Sequence, residues 1–218
     1  MTLLLPAFLS QVFFAFLALF PILNPPAMAP IFLALTEAVP DRQRERLALL
    51  IGFYTFVFLS VLLVAGGWLL KILGISVPVI SIAGGLLVFH SAWRMLNKET
   101  RMTDSEQEEI RSSMLDKAFF PLTMPVTAGP GAMAVTLSLV PSGKIWQTET
   151  LVAFLAVVIG IALAAFTVFV FYRYSAAFLR RMGKTGAAAF SQISAFILLA
   201  IGVQIVWSGL KELVLNLH

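Results

Sequence analysis

The sequence predicts an all-α membrane protein: six transmembrane helices forming two inverted three-helix repeats, with helices 1 and 4 broken near the midplane. Three observations carry this. First, 60% of the 218 residues are hydrophobic and 12% are charged, about half the charge of a soluble domain. Second, the charge is clustered, leaving six runs without Asp, Glu, Lys or Arg: 1–36, 47–70, 72–93, 118–143, 150–172 and 185–210. Each exceeds the roughly 18–20 residues that cross a bilayer core, and in lipid such runs satisfy their backbone as helices. Third, a proline-bearing motif occurs twice, in two of these runs, the second copy with two glycines.

The runs form a single transmembrane domain over 1–218: repeat one about 1–96, a polar connection at 97–117 and repeat two about 118–218. No Lys or Arg precedes the first run, which is too long for a signal-peptide core, so it reads as a retained helix. Helix 1 runs from near Pro6 to Thr36. Its thirty or so residues would span about 45 Å, more than one untilted crossing needs.

Basic residues set the orientation. Arg42, Arg44 and Arg46 follow helix 1. Arg94, Lys98, Arg101, Arg111 and Lys117 follow helix 3, and Arg173, Arg180, Arg181 and Lys184 follow helix 5. Only Lys71, Lys144 and Lys211 belong to the other side. Twelve against three puts both termini outside the cytoplasm. The same flanking charges account for a pI near 9.7 without nucleic acid as a partner. In the 97–117 connection Ser105 and Glu108 suit a capping box on a short solvated helix.

Several chemistries are excluded. The chain has no cysteine, hence no disulfide framework, zinc cluster or thiol nucleophile. There is no phosphate loop, no metal-ligand spacing and no hydrolytic arrangement of Ser, His and acid. The expectation is a protein that is not an enzyme and needs neither cofactor nor metal.

The doubled motif is NPPAMA at 24–29 and GPGAMA at 129–134, identical at four of six positions. Helix 3 (GLLVFHSAWRML, 85–96) matches helix 6 (GVQIVWSGLKEL, 202–213), with Gly85 in step with Gly202. Helices 2 and 5 end alike, in LKILG (70–74) and LRRMG (179–183). Three crossings are odd, so the second copy enters from the opposite side, a common construction of secondary transporters.

Pro25, Pro26 and Pro130 each lack an N–H and clash with the preceding turn. Asn24 is a good N-cap residue. Gly129 and Gly131 permit unusual backbone geometry or close approach. Each segment therefore reads as two half-helices around an unwound joint, tolerated in a membrane only where it lines a protein-walled cavity. Half-helix N-termini offer N–H groups, and the preceding C-termini offer carbonyls. Asn24, Pro25, Pro26, Thr127, Gly129, Pro130 and Gly131 are the candidate substrate-binding residues. The bland alternative is a pair of packing kinks.

The runs hold no carboxylate, which argues against an acidic proton relay and against a cationic substrate. Paired half-helix ends suit a small zwitterion. Thr123, Thr127, Thr136 and Ser138 could add hydroxyls, although back-bonding to their own helix is the default. His90, the only histidine in a run, is the candidate for proton coupling; its plainer role is packing near the interface. Gln192 and Gln204 suit interhelical bonds, Ala156, Gly160 and Ala164 suit close helix packing, and Trp68, Trp93, Trp146 and Trp207 suit interface anchors.

FPILNPPAMAPIF (20–32) and AFFPLTMPVTAGPG (118–131) resemble the MarC family of bacterial inner-membrane proteins, the second block more specifically. The resemblance spans nearly the whole chain. It implies six helices, an inner (plasma) membrane location and a grouping with neutral amino-acid transporters. It also implies a small neutral amino acid as substrate; a proton or Na+ is the expected coupling ion of a secondary transporter. Pro26 departs from the glycine the family pattern suggests, which stiffens the first joint. A secondary transporter or facilitator is the leading reading. A channel or efflux protein for another small solute, and a non-transporting scaffold, are the rivals, and the oligomeric state is left open.

Overall fold

A computed structural model describes residues 4–36, 39–97, 118–141 and 147–215. The Ser105–Glu108 pair, Trp146, and the basic residues Lys98, Arg101, Arg111, Lys117 and Lys144 lie outside them. Eight helical elements follow in order: α1 (Leu4–Leu23), α2 (Pro25–Leu35), α3 (Asp41–Leu73), α4 (Val77–Leu96), α5 (Ala118–Thr127), α6 (Pro130–Ser138), α7 (Thr148–Arg173) and α8 (Ser175–Leu215).

Among the described residues, five helices are long and apolar enough to cross a membrane: Leu5–Leu23, Asp41–Leu73, Val77–Leu96, Thr148–Arg173 and Thr185–Leu215. The protein is therefore an all-helical membrane protein with five candidate spans. The run expected to form a fourth crossing is split into α5, of 10 residues, and α6, of 9; neither spans a bilayer alone. The first segment divides unevenly. α1 has 20 residues and α2 has 11, so α1 alone is about 30 Å long and the joint falls well past the centre.

Helix ends follow local chemistry. α3 stops at Gly74, whose φ of 66° is left-handed, and the Ile75 N–H closes the end on the Leu70 carbonyl at 3.0 Å, the hydrogen bond of a Schellman cap. Gly183 adopts φ 67° and bends α8 soon after its start. Among the described residues these are the two glycines with positive φ. They are also the pair that closes LKILG and LRRMG.

Packing uses small residues to bring backbones together, as membrane helices do. On α4 and α8 the contact is reciprocal: a Cβ on Gly85 would lie 2.9 Å from the Gly202 carbonyl, and one on Gly202 would lie 3.0 Å from that of Gly85. Ala156, Gly160 and Ala164 are buried, and a Cβ on Gly160 would meet Ala15 of α1 at 2.6 Å. α1 packs on α7 as α5 packs on α3, α2 on α8 as α6 on α4, and α2 on α7 as α6 on α3. The interior is apolar, from Leu19 and Leu23 to Ile51, Leu59, Leu63 and Val168. Phe13, Phe14, Val64, Trp68, Phe166, Phe196 and Trp207 are exposed. An apolar surface that extensive needs a covering, which lipid supplies.

Candidate functional site

α5 owes its shape to a repeated Pro-x-Thr. Phe120 (φ −122°, ψ 125°) and Met124 (φ −122°, ψ 122°) are extended inside a helical stretch. Each precedes a proline in the sequence, Pro121 or Pro125, and the residue before a proline is disfavoured in the helical region. Threonine hydroxyls take up the carbonyls this exposes. Thr123 Oγ1 donates to the Ala118 carbonyl at 2.6 Å, and Thr127 Oγ1 to that of Leu122 at 2.7 Å. The Ala128 N–H closes the last wide turn on the Thr123 carbonyl at 2.7 Å. Thr136 and Ser138 likewise bond carbonyls of their own helix.

The chain then extends through Gly129 (φ −73°, ψ −178°) and restarts as α6 at Pro130. That geometry suits any residue, so the glycine at 129 is not demanded by left-handed backbone. Gly131 is different: a Cβ there would run into Val88 Cγ2 of α4. Among the described residues the N–H groups of Gly129, Gly131 and Ala132 make no hydrogen bond.

The first joint is built otherwise. Asn24 is the only non-glycine with positive φ among the described residues, at φ 44°, ψ 52°. Its N–H bonds the Phe20 carbonyl at 2.9 Å, and its carbonyl accepts the Met28 N–H at 3.0 Å. The expectation that Asn24 caps α2 is corrected: its side chain makes no capping bond. A cap bonds the second or third N–H of the helix from an extended backbone. Here the second residue is Pro26, and Asn24 is left-handed. The two prolines also leave the Pro21 and Ile22 carbonyls without helical donors, and the Leu23 carbonyl and Ala27 N–H are unpaired as well. Asn24 is 7% exposed, and its side-chain Nδ2 is buried with no partner.

Both joints border one cavity of about 410 Å³. Its polar wall holds Asn24, Thr127, Gly129, Pro130 and Gly131, all expected, together with Ser91 and Arg94 of α4, which were not. Its apolar wall includes Ile22, Met28, Val88, Met95 and Leu198. Pro25 and Pro26 are buried beside it without lining it. His90 is exposed on α4 and does not line it. Behind the cavity, Tyr172 of α7 ties the two broken segments together. Its hydroxyl lies 2.9 Å from Thr127 Oγ1, and its ring stacks on Phe32 of α2 at 4.5 Å.

These features define a multi-pass α-helical membrane protein with a cavity, part polar and part apolar, between two interrupted helical segments. The chain belongs to the MarC family: the model of the MarC family integral membrane proteins matches residues 9–214. It is 36% identical over 206 residues to a UPF0056 membrane protein of Archaeoglobus fulgidus, covering 94% of each chain. It is 35% identical over 201 residues to one of Aquifex aeolicus, covering 91% of this chain and 92% of the other. It is 32% identical over 209 residues to the UPF0056 inner membrane protein MarC of Escherichia coli O1:K1, covering 92% and 94%. No solved structure matches.

Proposed function

We propose that the protein is a secondary transporter or facilitator of a small neutral solute, best a small neutral amino acid, bound between the two helix breaks. The observation that carries this is that both joints open onto one cavity. There they offer unpaired N–H groups and unpaired carbonyls within reach of a single small ligand. Among the described residues neither carboxylate nor metal-ligand cluster borders it, so what these residues offer is binding groups. The reading is of a carrier and not an enzyme.

Three packing features support an inverted repeat with six crossings, the fourth made jointly by α5 and α6. Three helix pairings recur when the halves are exchanged: α1 on α7 as α5 on α3, α2 on α8 as α6 on α4, and α2 on α7 as α6 on α3. Gly74 and Gly183 both take a positive φ, and Gly85 meets Gly202 face to face. The twelve-to-three charge bias supports non-cytoplasmic termini, and the name of the Escherichia coli relative supports the inner membrane. A proton or Na+ remains the proposed coupling ion. His90, on the outer face of α4, would serve a proton pathway only from outside the cavity.

Purified protein in liposomes tests the proposal. Uptake of labelled glycine or alanine, driven by a proton or Na+ gradient and absent from empty liposomes, is the expected result. No flux of either under both gradients contradicts it.

A further inference from the structure

Resting on the transport reading, we propose that the two joints are chemically unlike, so that a zwitterion binds in one orientation. Its carboxylate lies at the start of α6 with Arg94, and its ammonium lies at the end of α1.

The difference comes from where the prolines fall. In α5 and α6 the carbonyls of Ala118, Leu122 and Thr123 are all taken, two of them by threonine hydroxyls, while the N–H groups of Gly131 and Ala132 are not. That joint is rich in donors. A helix N-terminus adds partial positive charge, and Arg94, which has a partner of its own, brings a guanidinium with five N–H donors to the same cavity wall. In α1 and α2 the tandem Pro25–Pro26 does the reverse. It deletes the first two N–H groups of α2 and orphans carbonyls of α1, of which Ile22 and Leu23 line the cavity. That joint is rich in acceptors. Between them, Asn24 borders the cavity with a buried Nδ2 that has no partner. An acceptor oxygen on the ligand would supply one. Two identical joints would leave a zwitterion free to bind either way round; Pro26 in place of a donor-bearing residue removes that freedom.

The test compares three probes that share one carbon skeleton. Alanine carries both charges, propionate only the carboxylate, and alaninamide only the ammonium. Affinities are measured with the full-length purified protein by calorimetry. Arg94→Gln is expected to weaken alanine and propionate about tenfold or more, the scale of a hydrogen bond to a charged group, and to spare alaninamide. Pro26→Ala restores an N–H that can close on the Ile22 carbonyl. It is expected to weaken alanine and alaninamide severalfold, spare propionate, and leave the melting temperature equal or higher, so the loss is not one of folding. Losses by either variant that are equal across the three probes, or that fall on the opposite end, overturn the orientation alone. Failure of wild-type protein to bind any of the three overturns the transport reading and the orientation with it.

Discussion

The hydroxyl of Tyr172 lies 2.9 Å from that of Thr127, and both are buried. Because Thr127 donates to the Leu122 carbonyl, Tyr172 is left to donate to Thr127. One side chain on α7 thus fixes the last turn before the second break, while its ring, stacked on Phe32, steadies the half-helix after the first.

This arrangement predicts an order of stabilities. Tyr172→Phe removes one donor and keeps the stack, costing about 1 kcal/mol. Thr127→Val keeps the shape but removes the hydroxyl bond to the Leu122 carbonyl and leaves the buried Tyr172 hydroxyl without a partner, costing about 2–4 kcal/mol. Unfolding of the detergent-solubilised variants measures both. A Thr127→Val variant no less stable than Tyr172→Phe would contradict the hydrogen-bond assignment.

Asn24 separates folding from function. A left-handed backbone strains most L-residues by roughly 1–2 kcal/mol, and glycine not at all. A buried donor without a partner costs about 1–3 kcal/mol more. Asn24→Gly removes both penalties and is expected to raise the melting temperature while lowering amino-acid flux. Asn24→Ala keeps the strain and is expected to be the less stable of the two. If Asn24→Gly transports as wild type does, the side chain has no part in the site.

Gly131 is where α6 and α4 touch. Gly131→Ala overpacks the contact with Val88 and is expected to cost about 1–3 kcal/mol. Adding Val88→Ala makes room for the new methyl, so the double variant is expected to recover part of that loss. A double-mutant cycle reads the coupling; strict additivity would mean that the two residues do not meet.

Much of this was legible in the sequence because prolines and glycines act locally. Pro25, Pro26, Pro130 and Gly131 mark two breaks wherever the rest of the chain goes, and five of the six charge-free runs hold the candidate spans, the run at 118–143 being the exception. What was not legible depends on helix rotation. In a soluble helix, polarity separates the outward face from the inward one. In a membrane both faces are apolar, so nothing in GLLVFHSAWRML says that Val88, Ser91 and Arg94 turn to the cavity while His90 turns away. Arg94 also stood among the flanking charges that set orientation, which hid its second role. Tyr172 was missed for a different reason: its partner Thr127 is 45 residues distant, and no local pattern records the pairing. The capping expectation for Asn24 failed because its backbone is left-handed and not extended, and Pro26 removes one of the two N–H groups a cap can bond, leaving that of Ala27 unpaired.

The central claim is that the cavity between the two breaks is the place where a small solute binds. The chain contains no cysteine, so Ser91→Cys introduces a single thiol on the cavity wall. Its rate of reaction with a small water-soluble maleimide, with and without saturating alanine, reports on that place alone. The account predicts that the thiol reacts and that alanine slows the reaction severalfold. A thiol that does not react, or one that reacts at the same rate whether glycine, alanine or no amino acid is present, contradicts it.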